Sequence, residues 1–337
     1  MSNGYATQLT TESILVNQSI DTILVTGAGG YIGGQVGLEL IDQKKYWVIG
    51  VDRRSRPVSN NWHQTIVDGF DSAAVEHAIK EHKPRAIVHC AGTSLVGPSM
   101  TDPGDYYENN VARSIRFLDM VRKHSPETRI VFASSAATYG NPDPSIVPLQ
   151  EDGPTVPISP YGWSKLMFEQ VLLDYARAYG TKYTAFRFFN VCGADPQGRH
   201  GQEKEATHII ARYLEAVLHE KEFVINGTDF DTPDGTCVRD YIHVADIASA
   251  IRVAIEEDLD GVYNIGTNRG ASNLEVVRTA EQVTGTRWLE KFGERRAGDP
   301  ALLTASANKL LSSSSWRPKY NLYEMIEHAW EWYNNTP

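Results

Sequence analysis

The stretch Ile23-Leu24-Val25-Thr26-Gly27-Ala28-Gly29-Gly30-Tyr31-Ile32-Gly33 runs from an apolar strand pattern into three glycines spaced three apart, Gly27, Gly30 and Gly33. The first glycine permits a tight turn, the second lets backbone N–H groups approach a pyrophosphate, and the third lets the following helix pack closely on the strand. Tyr31 and Ile32, at the start of that helix, join the glycines as cofactor-binding candidates. Asp52 ends the next apolar run, where its carboxylate can accept hydrogen bonds from adenosine ribose hydroxyls. This context predicts a dinucleotide site. NAD is preferred over NADP, because a 2′-phosphate meets like charge at Asp52, although Arg53 and Arg54 leave a phosphate clamp open as the alternative.

Outward from this loop, short apolar runs alternate with amphipathic stretches. Ile23 to Thr26, Trp47 to Val51, Ala86 to His89, Ile130 to Ala133 and Ala185 to Phe188 read as buried strands. Ile32 to Gln43, Ala73 to His82, Tyr106 to His124 and Tyr161 to Tyr179 read as helices. Continuous rather than alternating hydrophobicity, with crossover-length helices between strands, predicts an α/β protein built on a Rossmann-type, doubly wound parallel sheet. Cys90, Ala91 and Gly92 follow a strand end, where small residues let backbone lie along the cofactor. Asp68 and Gly69 fall either at the adenine edge or in a surface turn. Asn110, inside a helix, either bonds backbone beside the nicotinamide half or only packs.

After Asn190 the rhythm changes, with polar loops from Cys192 to Glu205 and from Asn226 to Gly235. Loops this long are more often functional than idle. Further on, Thr207 to Leu218, Asn273 to Thr284 and Leu322 to Asn334 read as helices and Val262 to Ile265 as a strand. The expected organisation is a polar N-terminal tail over 1–20, a cofactor domain over 21–190 with about 236–268 added, and a smaller mixed α/β substrate domain from 191–235 and 269–337.

The chain has 337 residues, enough for about two domains. At 41% hydrophobic and 22% charged residues it is an ordinary globular composition, which excludes disorder as the main state. The formal net charge of −10 excludes a broad basic face for nucleic acid or an anionic membrane. Three scattered cysteines suggest neither a disulfide framework nor a metal site. The absence of a long apolar run and of a basic-then-apolar leader predicts a cytoplasmic protein.

The chemistry resides in a second constellation. The strand from Ile130 ends in Ser134-Ser135, and Tyr161-Gly162-Trp163-Ser164-Lys165 follows. Tyr161 and Lys165, four apart, share a helical face. A lysine ammonium favours phenolate, so it is expected to draw the tyrosine pKa down from about 10 and let the phenol move an alcohol proton during hydride transfer. Ser135 is placed to bond the same substrate oxygen.

With these residues in view, the chain resembles the extended short-chain dehydrogenase/reductase family, and within it the UDP-hexose 4-epimerases. Beyond the glycine loop and the Tyr161 segment, the matching motifs are Tyr106 to Asn110, Ser134 to Gly140, Arg187 to Asn190, Val238 to Val244 and Arg295 to Asp299. The resemblance implies NAD-dependent, reversible epimerisation at C4 of a UDP-hexose (UDP-glucose or UDP-galactose) through a transient 4-keto intermediate. It implies Tyr161 as base, Lys165 as its tuning partner and nicotinamide-ribose ligand, and Ser135 at the 4-oxygen, with Ser134 and Phe188 beside the cofactor. The sugar nucleotide is assigned to Asn190, His208, Ile209, Arg239, Arg296 and Asp299, and a homodimer to the helices Tyr106 to His124 and Tyr161 to Tyr179. Ala136-Ala137 stands where related dehydratases carry an acidic pair, which argues against dehydration. Ser94, His208 and Leu303 depart from common epimerase residues, which leaves UDP-glucuronate and UDP-N-acetylhexosamine as alternative substrates. A non-catalytic dinucleotide sensor is the remaining reading outside enzymes.

Overall fold

The computed structural model describes residues 20–54, 62–204, 207–295 and 299–336; the expected N-terminal tail therefore lies outside them except for Ile20. In chain order the elements up to residue 188 are β1 (Asp21–Thr26), α1 (Tyr31–Asp42), β2 (Tyr46–Asp52), β3 (Gln64–Val67), α2 (Ala73–His82), β4 (Ala86–His89), α3 (Val96–Ser99), α4 (Pro103–Tyr107), α5 (Arg113–His124), β5 (Arg129–Ser135), α6 (Pro160–Tyr179) and β6 (Tyr183–Phe188). There follow β7 (Asn190–Cys192), α7 (Ile209–Leu218), β8 (Ile225–Asn226), β9 (Val238–His243), α8 (Val244–Glu256), β10 (Gly261–Ile265), β11 (Gly270–Ser272), α9 (Asn273–Thr284), β12 (Phe292–Gly293), β13 (Leu302–Leu303), α10 (Asn308–Ser313) and α11 (Leu322–Asn335).

Seven strands form the main sheet in the order β10-β6-β5-β4-β1-β2-β3, with every pair parallel. The doubly wound class is therefore the observed one. Ile23, Leu24, Val25 and Thr26 are wholly buried, because helices cover both faces of β1. One face packs Val36 and Leu40 of α1 and Ile247 and Ile251 of α8 into a single apolar cluster; the other packs Val75 of α2, Phe117 of α5 and Phe168 of α6. Between β1 and β4 the strand order reverses direction, which opens a crevice at their carboxyl ends.

The sequence pattern missed β3, whose four residues follow a stretch without periodic apolar signal. It also merged what the chain divides: the helix expected over Tyr106 to His124 contains a π turn at Glu108–Ala112 between α4 and α5. The turn displaces Asn109 and Asn110 inward, where both are buried. A third apolar cluster is built from α7, α9 and α11 around Tyr213, Val276 and Ile326. Strands β7 and β13 each pair parallel with β9, and β11 pairs antiparallel with it.

Candidate active site

The crevice is built first by glycine. Gly27 has φ +71°, and a Cβ there would stand 2.8 Å from the Ala91 amide nitrogen, so the first loop and the end of β4 touch backbone to backbone. At Gly33 a Cβ would sit 2.2 Å from the Gly27 carbonyl oxygen, which is how close α1 comes to the turn. This is a cradle that side chains would fill and a dinucleotide pyrophosphate fits. Asp52 Oδ2 accepts from the Gly29 amide at 3.0 Å and Oδ1 from the Arg54 amide at 3.0 Å, so its carboxylate is held at the loop. Asp68 accepts from the Gly69 amide at 2.7 Å. Gly69 in turn leaves room for Arg113, whose guanidinium pairs with Asp71.

The last residue of β4 is buried, and the pattern reading did not single it out. His89 Nδ1 is 2.8 Å from Thr26 Oγ1, and Nε2 is 3.0 Å from Ser114 Oγ. Thr26 Oγ1 also accepts from the Ala91 amide. Burial, assisted by the nearby Lys165 charge, lowers the imidazole to about 3, so a neutral ring ties β1, β4 and α5 together. Burial pushes the Cys90 thiol up to about 12, which leaves it no nucleophilic character at neutral pH. Asn110 receives the Thr93 amide at 2.8 Å and donates to the Thr93 carbonyl and to Ser164 Oγ, thereby fixing the chain after Gly92 against α6.

On α6, Ser159 caps the helix start and Pro160 opens it, so Tyr161 occupies the first turn, facing the end of β5. Lys165 is buried; its Nζ donates to the Ala133 carbonyl at 2.8 Å and stands 5.8 Å from the Tyr161 ring centre. It would lie 3.9 Å from a Cβ on Gly92. The glycine loop, the β4 end, Lys165 and Tyr161 therefore form one continuous surface. The expected depression of the phenol by Lys165 is corrected here. Burial raises Tyr161 above its ordinary value, with the Ser135 hydrogen bond opposing the rise, because desolvation of a phenolate outweighs the other influences at this position. Burial also lowers Lys165, to about 8. The buried Ser134 hydroxyl donates to Glu169 Oε1. Phe188 is buried in the core cluster beneath the crevice, in register with Ser135.

The residues assigned to a sugar nucleotide fall at two adjacent places. Asn190 and His208 line one cavity together with Gly193 and Tyr241. Ile209, the next residue after His208, lines another with Asp299. Arg239 on β9 is buried, donates to the Pro300 carbonyl and stands 3.8 Å from Asp299. Arg296 lies outside the described residues. Arg212, Val224, Asn226 and Asn273 line the second cavity too and were not expected. Strand β8, which carries Asn226, has two residues and so no period to detect. Ser94 falls between β4 and α3. Leu303 packs beside Ala136, Tyr139 and Phe189.

Residues 23–266 match the model of the NAD dependent epimerase/dehydratase family. The chain belongs to this family. Among curated members of the epimerase/dehydratase family, it is 39% identical over 324 residues to a UDP-glucose 4-epimerase of Halalkalibacterium halodurans, covering 94% of this chain and 96% of the relative. It is 40% identical over 325 residues to one of Azospirillum brasilense, covering 92% and 91%. Among solved structures, the UDP-glucose 4-epimerase of Bifidobacterium longum, in complex with NAD+ and UDP, superposes with a TM-score of 0.85 at 33% identity, over 94% of this chain and 99% of that one. The Brucella ovis enzyme in complex with NAD gives 0.86 at 35%, over 92% and 98%. The Rossmann-type sheet thus has the family's architecture. Among the described residues, no helix is long and apolar enough to cross a membrane.

Proposed function

We propose that this chain catalyses NAD-dependent, reversible inversion at C4 of a UDP-hexose, interconverting UDP-glucose and UDP-galactose. The observation that carries the reading is the contiguity of the Gly27–Gly33 cradle, the Ala91-Gly92 backbone, Lys165 and the Tyr161–Ser135 pair. Gly27, Gly30, Gly33 and Asp52 would hold the dinucleotide, which when bound supplies the acceptor and donor of the C4 hydride. Tyr161 removes the 4-hydroxyl proton and later returns it. Ser135, hydrogen-bonded to the phenol, is assigned to bond the sugar 4-oxygen. Lys165, whose Nζ stands 5.8 Å from the Tyr161 ring centre, would bond the cofactor ribose.

The 4-keto sugar must turn over before reduction on its other face. Affinity therefore belongs mainly on UDP, and a rigid sugar grip would stop the reaction. Arg239, Asp299 and Arg296, with Asn190, His208 and Ile209, are assigned to the nucleotide, arginine being suited to diphosphate. The cofactor falls to 21–190 with about 236–268, and the substrate to the remainder after 190. Leu303, beside Ala136 and Phe189, is neither a bulky nor a small residue at the position that sets room for the 2-substituent, so UDP-glucuronate and UDP-N-acetylhexosamines are the further substrates to test.

We further assign the chain a homodimer and a cytoplasmic location. Trp163 and Met167 on α6, with Leu95, Val96 and Met100 at α3, expose apolar surface of the kind that marks an interface, and light scattering tests it. The reaction is tested by incubating the purified holoprotein with UDP-galactose and separating the sugar nucleotides. UDP-glucose is the expected product; its absence, with conversion of another UDP-sugar, redirects the substrate assignment, and no conversion of any overturns it.

A further inference from the structure

One face of α6 grips the end of β5 at three successive residues. Tyr161, Lys165 and Glu169 are spaced by four and form one stripe along the helix. The Tyr161 phenol engages Ser135, Lys165 Nζ donates to the Ala133 carbonyl, and Glu169 Oε1 receives the Ser134 hydroxyl. The first two contacts belong to the reacting groups. The third is used by no step of the mechanism, yet it is the most heavily built.

Glu169 is 5% exposed, and its carboxylate accepts from Arg187 Nε at 3.1 and 3.2 Å and from Nη2 at 2.7 Å. Arg187 lies on β6 directly across from Ser134 in the sheet. Its Nη1 donates to Tyr139 Oη at 2.9 Å and to the Glu151 carbonyl at 3.1 Å. Tyr139 ends the short 3-10 turn Ala136–Tyr139 that Ser135 caps, and Tyr139 Oη donates to Asn264 Oδ1 at 2.7 Å. The network therefore holds Ser135 from both sides in sequence, at Ser134 and at Tyr139.

A buried ion pair adds little net stability over apolar residues of the same volume, because desolvation of both charges offsets their attraction. What a bidentate guanidinium–carboxylate pair adds is direction, since its two parallel hydrogen bonds tolerate neither sliding nor rotation. Apolar contacts such as Phe168 on Phe132 tolerate both.

We infer that Glu169 is a positioning residue of the reaction, holding α6 in register with β5 through Ser134 and Arg187 so that Tyr161 and Ser135 meet at one substrate oxygen. The inference rests on the epimerase reading above. Its carboxylate, one turn from Lys165, is also among the charges that oppose the lowering of that ammonium by burial.

Two variants of the full-length holoprotein test it, Ser134→Ala, which deletes one link and leaves the ion pair, and Glu169→Gln, which keeps shape and removes charge. Copurified NAD, UDP affinity by calorimetry, thermal melting, and kcat and KM for UDP-galactose are read on each. With NAD content, UDP affinity and KM within about twofold of wild type, kcat is expected to fall about tenfold for Ser134→Ala and about a hundredfold for Glu169→Gln, as for an ångström-scale misplacement of reacting groups. If Glu169→Gln does not fold, Ser134→Ala decides. Wild-type kcat in Ser134→Ala, or a loss confined to KM or NAD content, overturns the inference alone. A wild-type protein that turns over no UDP-galactose overturns the reading beneath it.

Discussion

The Tyr31 hydroxyl donates a 2.6 Å hydrogen bond to the Gly193 carbonyl, joining the first turn of the cofactor helix to the loop that leaves β7. His200 Nε2 lies 2.8 Å from the Tyr31 carbonyl, and Gln35 of α1 donates to Asp195 at 3.1 Å. One latch therefore links the glycine cradle to the segment that carries Asn190. Tyr31→Phe removes one bond of this latch and leaves the ring. From a net hydrogen-bond contribution of about 1 kcal/mol, KM for the UDP-sugar is expected to rise about fivefold with kcat nearly unchanged. Steady-state kinetics decide it, and an unaltered KM assigns the loop to Asp195 and His200.

Gly33→Ala places a methyl against the Gly27 carbonyl, where 2.2 Å leaves no room and both partners are backbone. Helix α1 must move outward. Overpacking of this kind typically costs about 1–3 kcal/mol, and here the displaced groups are those proposed to hold the pyrophosphate. The expected result is loss of copurifying NAD together with a lower melting temperature. Retention of both at wild-type level would show that the cradle is wider than these distances.

Tyr161→Phe deletes only the proton-carrying oxygen of a ring that is otherwise packed. Turnover of UDP-galactose is expected to fall by at least about a hundredfold, while bound NAD and UDP affinity persist. Single-turnover absorbance of the nicotinamide separates the cases. Near-normal conversion removes Tyr161 from the role of base.

His89 makes stability depend on pH in a known direction. Its ordinary value is 6.5 and burial lowers it to about 3 in the fold. Between these values the unfolded chain binds the extra proton, so the contribution is complete above 6.5 and is lost as pH falls toward 3. Asp240, raised by burial to about 6, acts with the opposite sign, which masks the effect in the total. Comparison with His89→Gln isolates it. The variant starts less stable at neutral pH, having lost the Thr26 and Ser114 contacts. The gap should narrow by about 1.4 kcal/mol per pH unit below 6.5, measured by denaturant titration. A constant gap would mean that the folded imidazole accepts a proton freely.

The sheet was legible because parallel strands buried on both faces must be continuously apolar, and β1, β4 and β5 are. The Tyr161 and Lys165 pairing was legible because a four-residue spacing is enforced by helix geometry. The break at Glu108–Ala112 was not, since no residue type marks a π turn. Nor were Arg212, Val224 and Asn226, which line one cavity with Asp299 from separate stretches of the chain.

Local pattern, then, determined what depends on neighbours in the chain: the strand–glycine–helix start, the parallel sheet, the residue types of the reacting set. Tertiary structure alone decided what depends on burial and on distant partners. It raised the Tyr161 pKa instead of lowering it, turned the Ser134 hydroxyl to Glu169, neutralised His89 and tied Tyr31 to Gly193. The reason is physical: desolvation and the direction of a hydrogen bond are set by what surrounds a group in space, and spacing along the chain carries no record of either.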